Sequence, residues 1–251
     1  MNVPFLKLRV ASDAWLVCSR GEQEAHWPSF AKLACARASG AAASGVVSIH
    51  ADGKTADAYN RHGQHIAVPP VAALCAARWL FDAGRSSSDT VLLSQSKSPD
   101  IEVITVDSRA FAINLGDVAV QETKSAGRAA APGANNFIST IRVQLGDQQL
   151  TVHLFDGTVA AATQRAYPGN DVLAACISRE RIRIYRRHTD ALLASAAACA
   201  AASGLGLTEA ECAAELSGGI VLVQKPDGAS LVLLAEPEYC MSGEIWMQEG
   251  S

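Results

Sequence analysis

The chain has 251 residues, enough for one large domain or two smaller ones, and is 49% apolar but only 6% aromatic, so its core is built from Ala, Val and Leu. Its net charge of −4 offers no basic surface for nucleic acid or an anionic membrane, and no apolar run is long enough to span a bilayer. Seven cysteines are odd in number, scattered and without a C-x-x-C pair, which argues against a disulfide framework or a zinc site; with a start too polar for a signal peptide, they predict reduced thiols in a cytoplasmic protein.

In chain order, the alternation from Phe5 to Cys18 predicts a strand pair or one bent strand. Trp27-Pro28-Ser29 begins a helix, with Phe30, Leu33, Ala34 and Arg37 at helical spacing and Gly40 as its stop. Strands follow at 45–49 and 56–60, separated by a turn at Ala51-Asp52-Gly53-Lys54 and followed by a tight turn at Arg61-His62-Gly63-Gln64. A Pro69-Pro70 loop then leads into an Ala-rich helix over 70–81. Strands are expected at 90–94, 101–106 and 109–115, and the Ala, Gly, Pro and Ser stretch 124–136 reads as a linker.

The second half repeats the plan. Strands fit 138–145 and 149–155, a weak helix 157–165, and strands 172–177 and 180–186. A second Ala-rich helix covers 194–203, Thr208 to Glu211 starts a turn or short helix, and a hairpin joins 221–223 to 230–234 around Pro226-Asp227-Gly228. Glu244-Ile245-Trp246 is a last strand. Helices that are apolar nearly all round belong in an interior. A curved, mostly antiparallel sheet around a central helix, twice over, accounts for both repeats and predicts an α+β fold of two pseudo-symmetric lobes. The boundaries are 1–123 for the first lobe, 124–136 for the linker and 137–251 for the second, with the last strand free to return to the first lobe. One mixed α+β domain with two compositionally similar helices is the alternative.

The order of elements resembles the diaminopimelate epimerase family over nearly the whole chain. Leu33-Ala34-Cys35-Ala36-Arg37 through Gly45-Val46-Val47 is similar to that family's first helix and its G-x-G-A-D-G-V segment. Tyr59-Asn60-Arg61-His62-Gly63-Gln64 stands where the family has F-N-A-D-G-S, and Ile182 to Arg187 where it has a strand ending in E-R-G. Gly218-Gly219-Ile220-Val221-Leu222 and Ala235-Glu236-Pro237 resemble its last hairpin and its G-P-A segment. The resemblance implies a cofactor-independent racemase or epimerase fold of amino-acid metabolism, in which two thiols at helix N-termini face each other across a cleft. Here the thiol positions fall on Pro69 and Ala194, so it implies a divergent member without the two-thiol machinery.

The same resemblance nominates site residues. Asn60 matches a substrate-binding Asn, and Asp13 and Asp171 fall at or near two further ligand-binding Asn positions. Arg186 and Arg187 fall at the E-R-G pair, where they would hold a carboxylate or phosphate. Pro69 and Pro70 lack amide hydrogens, whereas Ala194, Ser195 and Ala196 keep theirs for an anion. Asp13, His62, Asp171 and Asp190 are the acid–base candidates. His65 and His188 also lie on loops near these segments, and Cys75 and Cys199 read as core packing. Two functions stay open. One is a cofactor-independent isomerase or cyclase moving protons on a small polar, amino-acid-like metabolite between the lobes. The other is an inactive descendant that binds a ligand or partner protein. Whether the chain is an enzyme is left undecided; no metal or cofactor is expected, a small-molecule ligand is, and a homodimer is an allowed assembly.

Overall fold

The computed structural model describes residues 2–20, 26–38, 40–86, 89–95, 98–122, 136–167, 171–185, 190–225 and 230–247. The expected linker therefore lies outside the described residues except for Asn136. The elements begin β1 (Asn2–Val10), β2 (Asp13–Ser19), α1 (Trp27–Ala34), β3 (Gly45–Ile49), β4 (Ala56–Asn60), β5 (His65–Ile66), α2 (Pro70–Asp82), β6 (Thr90–Leu93) and β7 (Ile101–Thr105). Next come β8 (Phe111–Glu122), β9 (Phe137–Leu145), β10 (Gln148–Asp156), α3 (Ala161–Ala166), β11 (Val172–Ser178) and β12 (Arg181–Tyr185). The chain continues through α4 (Ala191–Gly204), β13 (Glu211–Leu216), β14 (Gly219–Gln224), β15 (Ser230–Ala235) and β16 (Glu238–Trp246). Two compact units divide it: Met1–Ile113 with Ala235–Ser251, and Asn114–Leu234. None of the described helices is long and apolar enough to cross a membrane.

The first unit holds a six-stranded sheet in the order β16-β1-β2-β3-β4-β5. Its one parallel pair, β2–β3, is joined by α1, as a parallel pair requires a crossover. Proline in the first turn and the His26 ring, which accepts the Ser29 amide hydrogen, start α1. Its buried face of Trp27, Phe30, Ala31 and Ala34 packs on Val3, Phe5, Leu16, Cys18 and Val46. The helix stops at Ala34, earlier than the sequence spacing suggests, and the chain folds back so closely that a side chain at Gly40 would meet the Ala34 and Leu33 carbonyls. α2 packs against β1, β2, β3 and β7, with Val71 to Ala77 and Leu80 buried. The β6–β7 hairpin joins this unit through a bridge between Thr55 and Ser94.

In the second unit, β8 to β15 pair in sequence and β15 closes on β8, giving a closed eight-stranded barrel. It is mostly antiparallel, with parallel pairs at β10–β11 and β12–β13, each spanned by a helical crossover. α4 contacts β9 to β14, and every residue from Ala191 to Ala202 is buried. This explains its composition: a helix enclosed by strands on all sides has room for little beyond a methyl group. An outer layer of Phe155, Val159, Leu173 and Ala175 packs with Phe137, Tyr167 and Tyr185.

Three expectations need correction here. α4 starts at Ala191 rather than 194 because Asp190 caps it. The weak helix of the second half is only α3, Ala161–Ala166. The segment after Thr208 is no helix: Glu211–Leu216 is β13, whose alanines and glutamates carry weak strand propensity but whose pairing with β12 and β14 completes the ring.

Candidate functional site

The buried helices of the two units, α2 and α4, begin differently. α2 opens on Pro69 in extended conformation with Pro70 in its first turn and no side-chain cap, while the Ala73 amide donates to the Pro69 carbonyl. Neither proline has an amide hydrogen, so this helix end has lost two donors that an anion cradle would use. At α4, Asp190 Oδ1 accepts the Leu192 and Leu193 amides at 2.9 and 3.1 Å. The chain's own carboxylate thus holds the anion position of that helix. The Ala194 amide donates to the Asp190 carbonyl at 2.9 Å, and the Ser195 hydroxyl to the Ala191 carbonyl at 2.8 Å. Ala194, Ser195 and Ala196 are fully buried, one turn inside the helix rather than on an open loop.

Asp171, in contrast, meets a partner that sequence reading missed. Its Oδ2 lies 2.9 Å from His153 Nε2, and His153 Nδ1 lies 2.9 Å from Thr140 Oγ1. β9–β10 pairing dictates the second contact, since Thr140 and His153 are direct cross-strand neighbours. One arrangement satisfies all three groups: the Thr140 hydroxyl donates to Nδ1, and Nε2–H donates to the carboxylate. Tyr167 covers the imidazole at a ring separation of 4.3 Å, leaving the His153 side chain 10% and that of Asp171 18% exposed. His153 left no signal beyond its place in an otherwise apolar alternation, where a histidine usually needs a partner.

A second polar cluster belongs to the first unit. Asp57 Oδ2 accepts from Arg20 Nη1 at 2.8 Å and lies 2.9 Å from His50 Nε2, while Oδ1 lies 3.2 Å from His65 Nε2. Both imidazoles reach the carboxylate through Nε2, and His50 Nε2 also lies 2.9 Å from Arg20 Nη1, a group that can only donate. The Tyr59 ring packs on His65 and in turn on Trp27, joining the cluster to the α1 layer. Burial pushes the Asp57 carboxyl up, but hydrogen bonds from His50 and His65, with their charge, hold it below the ordinary carboxylate value. A depressed folded value means that the stabilisation is complete above the unfolded pKa of about 4 and is lost as pH falls through the folded one. Thermal melts of Asp57→Asn should therefore lie below wild type at pH 7 by about 2 kcal/mol, and the gap should close as pH drops below the carboxylate range. A gap independent of pH would contradict an ionised Asp57.

The remaining expected residues are dispersed. Asn60 Oδ1 accepts the His62 and Gln64 amides at 3.0 Å each, and its side-chain amide donates to Gln64, so it closes the β4–β5 turn. His62 is exposed on that turn, where Nε2 accepts from Arg61. Asp13 begins β2, half-buried and opposite Val10. Arg186, Arg187 and His188 lie outside the described residues.

Four of the seven thiols are held in the protonated form, while the hydrogen bond with Cys199 lowers that of Cys212. Burial pushes the Cys35 thiol up to about 12 and that of Cys176 up to about 11, and raises Cys18 as well. A hydrogen bond with Cys212, together with burial, holds Cys199 well above its ordinary value. The thiolate is the reactive form, so these groups are inert near neutrality. Iodoacetamide should add once to the native protein, at Cys240, the one exposed cysteine of the seven, by intact mass. Rapid labelling of Cys75 or Cys199 would show that a helix thiol is reachable.

No protein-family model and no curated protein matches the chain. Its fold is that of the diaminopimelate epimerase-like superfamily, to which several similar solved structures belong. A phenazine biosynthesis protein of the PhzF family from Enterococcus faecalis has a TM-score of 0.74 at 12% identity, over 98% of this chain and 100% of that one. A probable proline racemase from Agrobacterium radiobacter K84 with bound carbonate has a TM-score of 0.64 at 11% identity, over 99% and 94%. A methylitaconate-delta-isomerase has a TM-score of 0.57 at 10% identity, over 98% and 95%. At these identities the likeness is one of fold.

Proposed function

We propose that the protein is a cofactor-independent isomerase-type enzyme, isomerase or cyclase, that moves a proton on a small polar, amino-acid-like metabolite without a thiol pair. In this reading the units are pseudo-symmetric halves of a divergent cytoplasmic member of the superfamily. The observation that carries it is the Thr140–His153–Asp171 constellation, a largely buried carboxylate and imidazole at 2.9 Å. His153 holds Asp171 Oδ2 and Thr140 holds the ring, and in this reading the other carboxylate oxygen, Oδ1, takes a proton from a carbon acid. Arg186 and Arg187 are the chain's choice for the substrate's anionic group. Racemase and isomerase names among the fold neighbours support the class of reaction. A second reading, ligand binding without turnover, is favoured by the Asp190 carboxylate seated on the α4 amides and by the two prolines opening α2. Thermal-shift screening of amino acids, hydroxy acids and small dicarboxylates, followed by deuterium exchange of each binder, separates the two. Exchange of a carbon-bound proton supports the enzyme; stabilisation without exchange supports the binder.

A further inference from the structure

We infer that Cys199 of α4 and Cys212 of β13 form a redox-sensitive clasp inside the second unit, which closes to a disulfide when a hydroperoxide reaches it. α4 packs against β13, and Cys212 and Ala214 are the fully buried positions of that strand. From 196 to 202, Cys199 is the one side chain larger than a methyl group. The alanines above and below it let the helix backbone lie close to the wall. The Cys199 thiol donates a hydrogen bond to the Cys212 sulfur. Two sulfurs in contact need side-chain rotation and a small approach of α4 to bond, not a change of fold. Cys176 on β11 is a third thiol nearby, close enough to act electrostatically on Cys199. β12 lies between β11 and β13, however, so Cys176 stands about 9–10 Å from Cys212, beyond the roughly 7 Å between Cα atoms that a disulfide spans.

The contact also divides the roles of the two thiols. Donation from Cys199 lowers the Cys212 thiol against the burial that raises it, so Cys212 carries the nucleophilic sulfur. That sulfur attacks one oxygen of hydrogen peroxide, the O–O bond breaks, and hydroxide leaves with the thiol proton as water. Cys212 is then a sulfenic acid. The Cys199 sulfur attacks it, the S–O bond breaks, and the departing hydroxide takes the Cys199 proton as a second water. Two thiols have lost two electrons and two protons, and one peroxide has become two waters. Cys212 and Cys199 are only 1% and 4% exposed, so the reagent has to be small; hydrogen peroxide is little larger than water. The bond ties the enclosed helix to its wall and shortens the unfolded chain's freedom, so the stability of the second unit follows the redox state around it.

Peroxide treatment of the native full chain, in a Cys240→Ser background that removes the exposed thiol, tests this. Intact mass should fall by two hydrogens. Digestion after glutamate cuts at Glu209 and Glu211, between the two cysteines, and should yield one peptide pair joined through Cys199 and Cys212. The thermal midpoint should rise by about 5 °C and return with dithiothreitol. Cys199→Ala and Cys212→Ala should each abolish the link and the rise, and Cys176→Ala should keep both. The peptide map of the parent protein decides the matter even where an alanine variant fails to fold. No loss of hydrogens, added oxygens at Cys212 without a link, or a link through Cys176 overturns the inference. So does a Cys199–Cys212 link that leaves the midpoint unchanged or lower.

Discussion

Ala197→Leu should unfold the second unit or bring it close to unfolding. Ala197 is fully exclosed from solvent in the middle of α4, and its neighbours Ala196 and Ala198 are equally buried. Strands β9 to β14 surround the helix, so there is no open side towards which a larger side chain could turn. Overpacking a dense core costs about 1–3 kcal/mol where neighbours can yield, and more where a closed ring holds them. A loss of about 3 kcal/mol is a large share of the 5–15 kcal/mol that keeps a typical domain folded. Ala162→Leu, on the exposed surface of α3, should be nearly neutral. Chemical denaturation of the two variants checks this; equal midpoints would mean that α4 is not enclosed.

Asp171→Asn should abolish turnover of whichever metabolite the protein deuterates, by a factor of at least about 100, as expected for loss of a positioned general base. The amide keeps the shape of the carboxylate and can still accept from His153, so the variant should remain folded. Thr140→Val tests the supporting role separately. It leaves His153 Nδ1 without its hydroxyl donor, and a ring freed to change tautomer should alter the pH profile more than substrate affinity. A turnover number unchanged in Asp171→Asn would remove this residue from the chemistry and leave the Thr140–His153–Asp171 set as a packing element.

The sequence made the two Ala-rich helices legible because burial on every side leaves a compositional mark that no surface helix carries. It also placed Asp171 in the acid–base group, but from the resemblance rather than from its surroundings. His153 was invisible because its contact with Thr140 depends on the register between β9 and β10, and register is a property of the paired strands. Asp57 with Arg20, His50 and His65 was missed for the same reason: these residues converge only once β3, β4 and β5 are aligned. α4 starts three residues before the expected 194, because an Asp before an apolar helical run is a local cap signal that composition alone does not carry. β13 was lost because alanine carries little preference, so barrel closure rather than local composition decides its conformation.

Deuterium incorporation into a panel of amino acids, hydroxy acids and small dicarboxylates, measured by mass spectrometry before and after exhaustive alkylation of the native protein, tests the thiol-free acid–base reading most directly. Exchange that survives alkylation and disappears in Asp171→Asn is the predicted result. Exchange that disappears on alkylation and persists in Asp171→Asn, or no exchange anywhere in the panel, would contradict it.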